Sequence, residues 1–114
     1  AASRSTCRLL TMGPSRTPTK VEREWMDRIR ALGCVACVKD GINDTPGEIH
    51  HIVQGNRRLG HLHTLVLCPA HHRGDGRQVP SVHFTKRTFV QRYGSELELL
   101  AELQVELGIY DKVA

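Results

Sequence analysis

Aromatic residues are scarce in this chain, because only five of its 114 residues are Phe, Tyr or Trp. A domain of this size with so few large side chains has a thin core, which makes a bound metal ion a plausible source of stability. Long apolar runs are also missing, and none approaches the roughly 18 to 20 residues that cross a bilayer. The N-terminal residues lack the apolar stretch and small-residue cleavage site of a secretion signal. We therefore expect a cytoplasmic protein that does not enter a membrane.

Acidic residues are sparse in most of the chain. Residues 1–92 hold 15 Lys and Arg against 7 Asp and Glu, a balance of +8, whereas residues 93–114 have a balance of −4. A positive field of this kind favours a polyanionic partner, and nucleic acid is the first candidate. The alternative is a solvated basic surface that has no partner.

Cysteine is limited to four residues, but three of them lie with all seven histidines between residues 34 and 83. The fourth, Cys7, stands in a polar, basic segment, and we expect it to be a free thiol without a role. Cysteine thiolate and neutral imidazole are the side chains that bind zinc best. In the cytoplasm, two cysteines separated by two residues are more often a metal or redox site than a structural disulfide.

Four of these residues match the ligand spacing of a closed zinc site. They form a C-x2-C pair and a later C-x2-H pair, namely Cys34, Cys37, Cys68 and His71. Each pair can converge on one ion from a tight turn, while the chain between the pairs supplies the strands that the ion clamps together. Such a site would hold the fold without reacting. The alternative is that the cysteines are small buried hydrophobic residues.

Composition indicates where the domain begins, and capping residues indicate where its first helix begins and ends. We expect residues 1–18 to be a basic, mostly irregular arm and residues 19–114 to form one domain. Thr19 with Glu22 makes a capping box, and Gly33 stands where the helix that follows should end.

Short strands and a short helix are predicted in the middle of the chain. Residues 48–53 and 64–67 are candidate strands, and the polar residues 54–63 would form the loop between them. Pro69 suits the first turn of a helix that carries the second pair of zinc ligands.

The last third of the chain should be helical. Phe84, Phe89 and Val90 could form one apolar face of a helix that ends at Gly94. A second capping box begins at Ser95 and starts a helix that is leucine-rich on one face and acidic on the other, so we expect this helix to cover the core.

The remaining histidines form a second group with different chemistry. Adjacent residues of a strand point to opposite faces unless the backbone bulges, so His50 and His51 should not both bind one ion side by side. We expect one of them to bind a divalent metal ion and the other to deprotonate water, since imidazole titrates near working pH.

The order of these blocks resembles the HNH endonucleases, whose core is a two-stranded ribbon and a helix around one catalytic metal ion. His50-His51-Ile52 corresponds to the first block of that family. The resemblance implies that His51 is the general base, that His50 is a metal ligand, and that His72 is the metal-binding histidine after the second zinc pair.

Two positions depart from the HNH pattern. His71 replaces the second cysteine of the second zinc pair, which zinc tolerates. His63 replaces the signature asparagine, and we expect it to position the base or its loop. His61 lies in the polar loop, where we expect an ordinary surface histidine.

A narrower resemblance covers residues 18–107 and is to the phage recombination-enhancement nucleases (Ref-type, RecA-dependent). That family has an HNH variant with a late histidine, which here would be His83, and the glycines and proline after His72 allow a chain reversal. The matching features are Thr19-Lys20-x-Glu22-Arg23, Leu32-Gly33-Cys34-x-x-Cys37, Glu48-Ile49-His50-His51-Ile52, Leu67-Cys68-x-x-His71-His72-Arg73-Gly74, Gly76, His83, Phe89, Tyr93-Gly94-Ser95-Glu96-Leu97 and Leu99-Leu100.

These resemblances imply a small zinc-stabilised ββα-metal core with flanking N- and C-terminal helices, hence an α+β fold. They imply a metal-dependent DNA endonuclease that is encoded by a phage or prophage and acts in the bacterial cytoplasm. The implied cofactor is Mg²⁺ or another divalent cation, and the implied further partner is a RecA filament. Cleavage would leave a 5′-phosphate and a 3′-hydroxyl. The implied catalytic residues are His51, His63 and His83, and the implied ligands of the catalytic metal are His50, His72 and His83.

Four arginines flank the proposed site and are candidates for phosphate contacts, although solvation is their ordinary state: Arg57, Arg58, Arg73 and Arg77. Two other functions stay open. One is a zinc-stabilised nucleic-acid-binding module without catalysis, and the other is an accessory protein whose nuclease activity needs a partner.

Overall fold

The computed structural model describes residues 17–74 and 79–108. The arm predicted for residues 1–18 and the thiol of Cys7 therefore lie outside the described residues, apart from positions 17 and 18. The elements, in chain order, are α1 (Lys20–Leu32), α2 (Val35–Lys39), β1 (Glu48–His51), β2 (Val53–Gln54), β3 (Arg57–Arg58), β4 (Thr64–Leu67), α3 (Pro69–His72), α4 (Lys86–Tyr93) and α5 (Glu96–Leu107). This is the α+β class that the sequence predicts.

Both predicted capping boxes are present. In α1 the Thr19 hydroxyl accepts from the Glu22 backbone N–H at 3.2 Å, and the Glu22 carboxylate accepts from the Thr19 N–H at 2.8 Å. In α5 the same reciprocal pair joins Ser95 and Glu98, at 3.1 and 2.8 Å. Each box satisfies two backbone donors that the helix itself leaves unpaired.

A two-stranded antiparallel ribbon is the centre of the fold. β1 pairs with β4 so that Glu48 faces Leu67 and His51 faces Thr64. The predicted first strand is interrupted at Ile52, whose N–H donates to the His63 carbonyl at 3.0 Å. Beyond this point β2 pairs with β3, so part of the segment predicted as a loop is a short second hairpin.

The core surrounds β4, whose four residues are all buried. α1 contributes Trp25 and Ile29 to this core, and α5 contributes Leu99. The indole Nε1 of Trp25 donates to the Thr64 hydroxyl at 3.0 Å in a buried contact. α1 is therefore fixed to β4 by packing and by one buried hydrogen bond.

The first cysteine pair lies on a helix rather than only in a tight turn. Cys34 is the N-cap of α2, and its sulfur accepts from the Cys37 N–H at 3.4 Å. Gly33 precedes it with φ +84°, and a Cβ there would lie 2.8 Å from the Thr45 carbonyl oxygen. A glycine is therefore required for the chain to pass from α1 into α2.

The apolar face predicted for α4 is wrong at Phe84. This residue precedes the helix, in a turn where the Thr85 N–H donates to the Ser81 carbonyl at 3.0 Å, and its side chain is 76% exposed. Phe89 is fully buried as expected.

Across residues 17–74 and 79–108, no helix combines the length and apolar character that a membrane crossing needs.

Candidate metal centres

The four predicted zinc ligands converge in the buried interior. Cys34 and Cys37 come from α2, while Cys68 and His71 come from the N-cap and body of α3. His71 Nδ1 lies 3.6 Å from Cys34 Sγ, 3.6 Å from Cys37 Sγ and 3.2 Å from Cys68 Sγ. The sulfurs of Cys37 and Cys68 are 3.9 Å apart. One ion could therefore join α2 to the ribbon and α3.

These separations fit a tetrahedral zinc ion. Bond lengths of about 2.3 Å to sulfur and about 2.0 Å to nitrogen imply edges of roughly 3.5 Å between S and N and roughly 3.8 Å between two sulfurs. Burial raises the pKa of the Cys34 thiol to about 12. A bound cation is thus what would keep this sulfur as the thiolate that binds metal.

A chain of hydrogen bonds extends from the fourth ligand to the surface. His71 Nε2 lies 3.0 Å from the Tyr93 hydroxyl, which donates to the Asp40 carboxylate at 2.7 Å, and Arg92 donates to the other Asp40 oxygen at 2.9 Å. Burial, and then the contact with Asp40, raise the pKa of Tyr93 to about 12, so its hydroxyl remains a donor. His71 Nε2–H can then donate to Tyr93 while Nδ1 faces the sulfurs, which is the usual outer support of a metal-binding histidine.

A second group of possible ligands lies at the end of the ribbon. His50 on β1, His72 on α3 and His83 have donor atoms that all lie within 4.8 Å of one another. Two backbone hydrogen bonds hold the returning chain against α3, from Val82 N to His71 O at 2.8 Å and from His83 N to His72 O at 3.2 Å. Residues 82 and 83 therefore lie against α3, and His83 lies beside the other two rings, as the predicted chain reversal requires.

Two carboxylates support these rings from outside. Glu96, the first residue of α5, has Oε1 2.7 Å from His50 Nε2, and both side chains are buried. Glu48 has Oε1 2.7 Å from His72 Nδ1. Hydrogen bonds from Arg73, and then from His72, lower the pKa of Glu48 to about 2.

The carboxylates determine which ring nitrogens remain for a metal. An ionised carboxylate can only accept, so His72 must donate from Nδ1 and His50 from Nε2. The other nitrogen of each ring keeps its lone pair, as in other sites where a carboxylate orients a metal-binding histidine. Three imidazoles form a donor set that suits transition metals such as zinc, whereas Mg²⁺ prefers oxygen ligands. The expectation of Mg²⁺ therefore depends on the family resemblance rather than on these ligands.

His51 does not belong to this group of possible ligands and contacts a different histidine. Its Nε2 lies 3.0 Å from His61 Nδ1. Burial, and then the positive charge of Arg58, lower the pKa of His51 to about 4, so this ring is neutral at neutral pH. His61 was expected at the surface, but it is only 6% exposed.

An open cleft of about 460 Å³ gives access to these side chains. Both His50 and His51 border it, and Arg58 and Lys86 also line it. The other predicted residues are placed differently. Arg57 is exposed on β3, and Arg73 is paired with Glu48 at 2.6 Å. His63 is half-buried, directly precedes β4 and belongs to neither group of possible ligands. Arg77 lies outside the described residues.

Sequence reasoning missed three residues that contact these histidines. Glu48 stands two residues before His50, so the period of a strand could have placed both on one face. Glu96 had no comparable signal, because it is 46 residues from His50 along the chain. His61 lies in a polar segment, and histidines in such segments are usually exposed, so the sequence does not single it out.

Comparison with protein families identifies a match to most of the chain. The family described as recombination enhancement, RecA-dependent nuclease matches residues 18–107. The matched region includes both groups of possible metal ligands and all the elements from α1 to α5. The chain belongs to this family of RecA-dependent nucleases.

Proposed function

We propose that this protein is a metal-dependent DNA endonuclease of the HNH type that acts together with a RecA filament. One observation carries the proposal, namely that His50, His72 and His83 converge from three separate segments beside the cleft that His51 borders. This is the arrangement that the resemblance to HNH endonucleases implies. The description of the family supports nuclease activity and a dependence on RecA.

The proposed reaction is hydrolysis of a phosphodiester. When bound by His50, His72 and His83, a divalent cation would supply positive charge to stabilise the phosphate during reaction. His51 takes a proton from water as the water oxygen adds to phosphorus. The bond from phosphorus to the 3′ oxygen then breaks, and this oxygen takes a proton from solvent water, which leaves a 5′-phosphate and a 3′-hydroxyl.

The substrate would be held mainly through its phosphates. Arg58 and Lys86 border the cleft, and Arg57 is exposed beside Arg58 on β3. Such contacts orient a nucleic acid without reading its bases, so we expect weak sequence preference. His63 remains a candidate for positioning the loop near the base.

The test is cleavage of supercoiled plasmid with Mg²⁺, Mn²⁺ or Co²⁺, with and without a RecA filament on a homologous single strand. The wild-type protein should convert the plasmid to nicked or linear form. The variant His51→Ala should not, while its zinc content and circular dichroism spectrum stay unchanged. Glu102→Gln, an exposed substitution on α5, is the control and should cut like wild type.

Two outcomes would contradict the proposal. Cleavage by His51→Ala at the wild-type rate would mean that another group activates the water. Binding of DNA without cleavage under every metal and filament condition would favour the alternative of a zinc-stabilised nucleic-acid-binding module.

A further inference from the structure

The His51 ring is held by a second histidine that the proposed reaction does not use. His51 Nε2 and His61 Nδ1 are 3.0 Å apart, and the two ring centroids are separated by 5.1 Å at an interplanar angle of 70°. This distance and edge-on geometry are those of a direct hydrogen bond between rings. His61 is buried, so its orientation depends on protein contacts rather than on solvent.

The backbone of His61 is fixed to the ribbon and to α1. The Thr64 hydroxyl donates to the His61 carbonyl at 3.0 Å and accepts from Trp25 Nε1 at 3.0 Å. Thr64 also stands directly opposite His51 in the ribbon. His51 and Thr64 are therefore both linked to His61, and the buried indole of Trp25 is bonded to Thr64.

The hydrogen bond between two neutral imidazoles allows two proton arrangements. If His51 donates from Nε2, its Nδ1 has a lone pair and can accept a proton. If His61 donates from Nδ1, the proton of His51 sits on Nδ1, and both nitrogens of His51 are then occupied. Only the first arrangement lets His51 act as a base.

We propose that His61 is a positioning residue that accepts a hydrogen bond from His51 Nε2–H and thereby holds His51 in the tautomer with an open Nδ1. A carboxylate has this role beside the histidine of a serine-protease triad. The catalytic meaning of this inference rests on the proposed function, but the tautomer itself can be measured independently.

Two substitutions of His61 test whether catalysis depends on its hydrogen bond with His51 or only on a side chain that fills the same space. In His61→Asn the amide oxygen can take the place of Nδ1, whereas in His61→Gln the amide lies nearer the place of Nε2. We expect His61→Asn to keep a kcat close to wild type. We expect His61→Gln to lose roughly 10- to 100-fold in kcat with little change in KM, which is part of the roughly 10²- to 10⁴-fold that general-base catalysis contributes. Equal kcat values for the two variants would contradict the inference.

A second readout does not depend on cleavage. Long-range ¹⁵N–¹H spectra of the histidine-labelled, zinc-loaded protein report which ring nitrogen of His51 carries the proton. We expect the Nε2–H tautomer in wild type and its loss in His61→Gln. The Nδ1–H tautomer in wild type would overturn the inference even if the enzyme cuts DNA. The Nε2–H tautomer in a protein that cuts no DNA would support the positioning contact and refute the proposed function.

Discussion

Adjacent histidines contact different partners in this protein. His50 contacts Glu96 in the interior, while its neighbour His51 contacts His61. His71 faces three cysteine sulfurs, while its neighbour His72 contacts Glu48. Spacing in the sequence predicts this division, since adjacent residues of a strand or a helix face different directions. The partners were not predictable, because each contact depends on how distant elements pack.

The carboxylate behind His50 should control metal affinity. Glu96→Gln keeps the side-chain shape but removes the charge that orients His50 and pairs with Lys86. We expect Co²⁺ affinity at the three-histidine site to fall by about 10- to 100-fold, as for other outer partners of metal-binding histidines. Titration followed by Co²⁺ absorption measures this. Glu102→Gln is the matched control, and unchanged Co²⁺ affinity in Glu96→Gln would show that the carboxylate does not orient the ligand.

Arg58 and Arg73 should differ in their effect on DNA binding. Arg58 borders the cleft, so Arg58→Ala should reduce the salt dependence of DNA binding by about one unit of the log–log slope. Arg73 instead donates to Glu48 at 3.0 and 2.6 Å. Arg73→Ala should therefore leave the slope nearly unchanged and weaken metal binding through Glu48. Fluorescence anisotropy at several salt concentrations measures the slope, and equal slopes for Arg58→Ala and wild type would exclude a phosphate contact.

Helices with caps and periodic apolar residues were predictable, and shorter elements were not. α1 and α5 begin at the expected Thr19 and Ser95, because a capping box is a local signal. α2 has only five residues and is capped by the sulfur of Cys34, so its formation depends on the metal-ligand cluster. β3 has two residues and exists through its pairing with β2. Neither is long enough to show a period.

The position of Glu96 makes the start of α5 functionally different from the start of α1. Ser95→Ala and Thr19→Ala remove equivalent capping boxes, and each should lower the free energy of unfolding by about 1 kcal/mol. Only Ser95→Ala should also weaken Co²⁺ binding, because it loosens the turn that carries Glu96 against His50. Denaturant unfolding and Co²⁺ titration of both variants make the comparison. An equal effect on Co²⁺ binding would mean a general loss of stability.

On the scale of the whole molecule, the cluster of Cys34, Cys37, Cys68 and His71 brings α2 together with the end of β4 and α3. Its possible ligands come from α2 and from the junction of β4 with α3, while Tyr93 on α4 contacts His71. The sequence predicted these four residues as one zinc-binding set, since their spacing is a strong signal, and the four side chains do converge. It could not predict the extension through Tyr93 to Asp40, because those residues meet only in the folded chain.

Removal of the metal from the cysteine site should unfold the protein. Structural zinc contributes about 10–16 kcal/mol in zinc-finger peptides, and whole domains are stable by only about 5–15 kcal/mol. A strong chelator, or the variant Cys37→Ser, should therefore abolish the cooperative thermal transition seen by circular dichroism. His83→Ala removes a ligand of the other group from an exposed position and should retain that transition. A cooperative transition in Cys37→Ser at the wild-type temperature would rule out a structural metal at this site.

The contact between Trp25 and Thr64 makes Trp25 an intrinsic fluorescence probe of the ribbon. Trp25 is the single tryptophan of the sequence, it is 2% exposed, and its indole is bonded to the strand residue opposite His51. An indole in such surroundings emits at shorter wavelength than one in water. Loosening of the ribbon would therefore shift the emission to the red, so unlabelled protein reports the state of the strand behind His51 during titration with metal, DNA or a RecA filament.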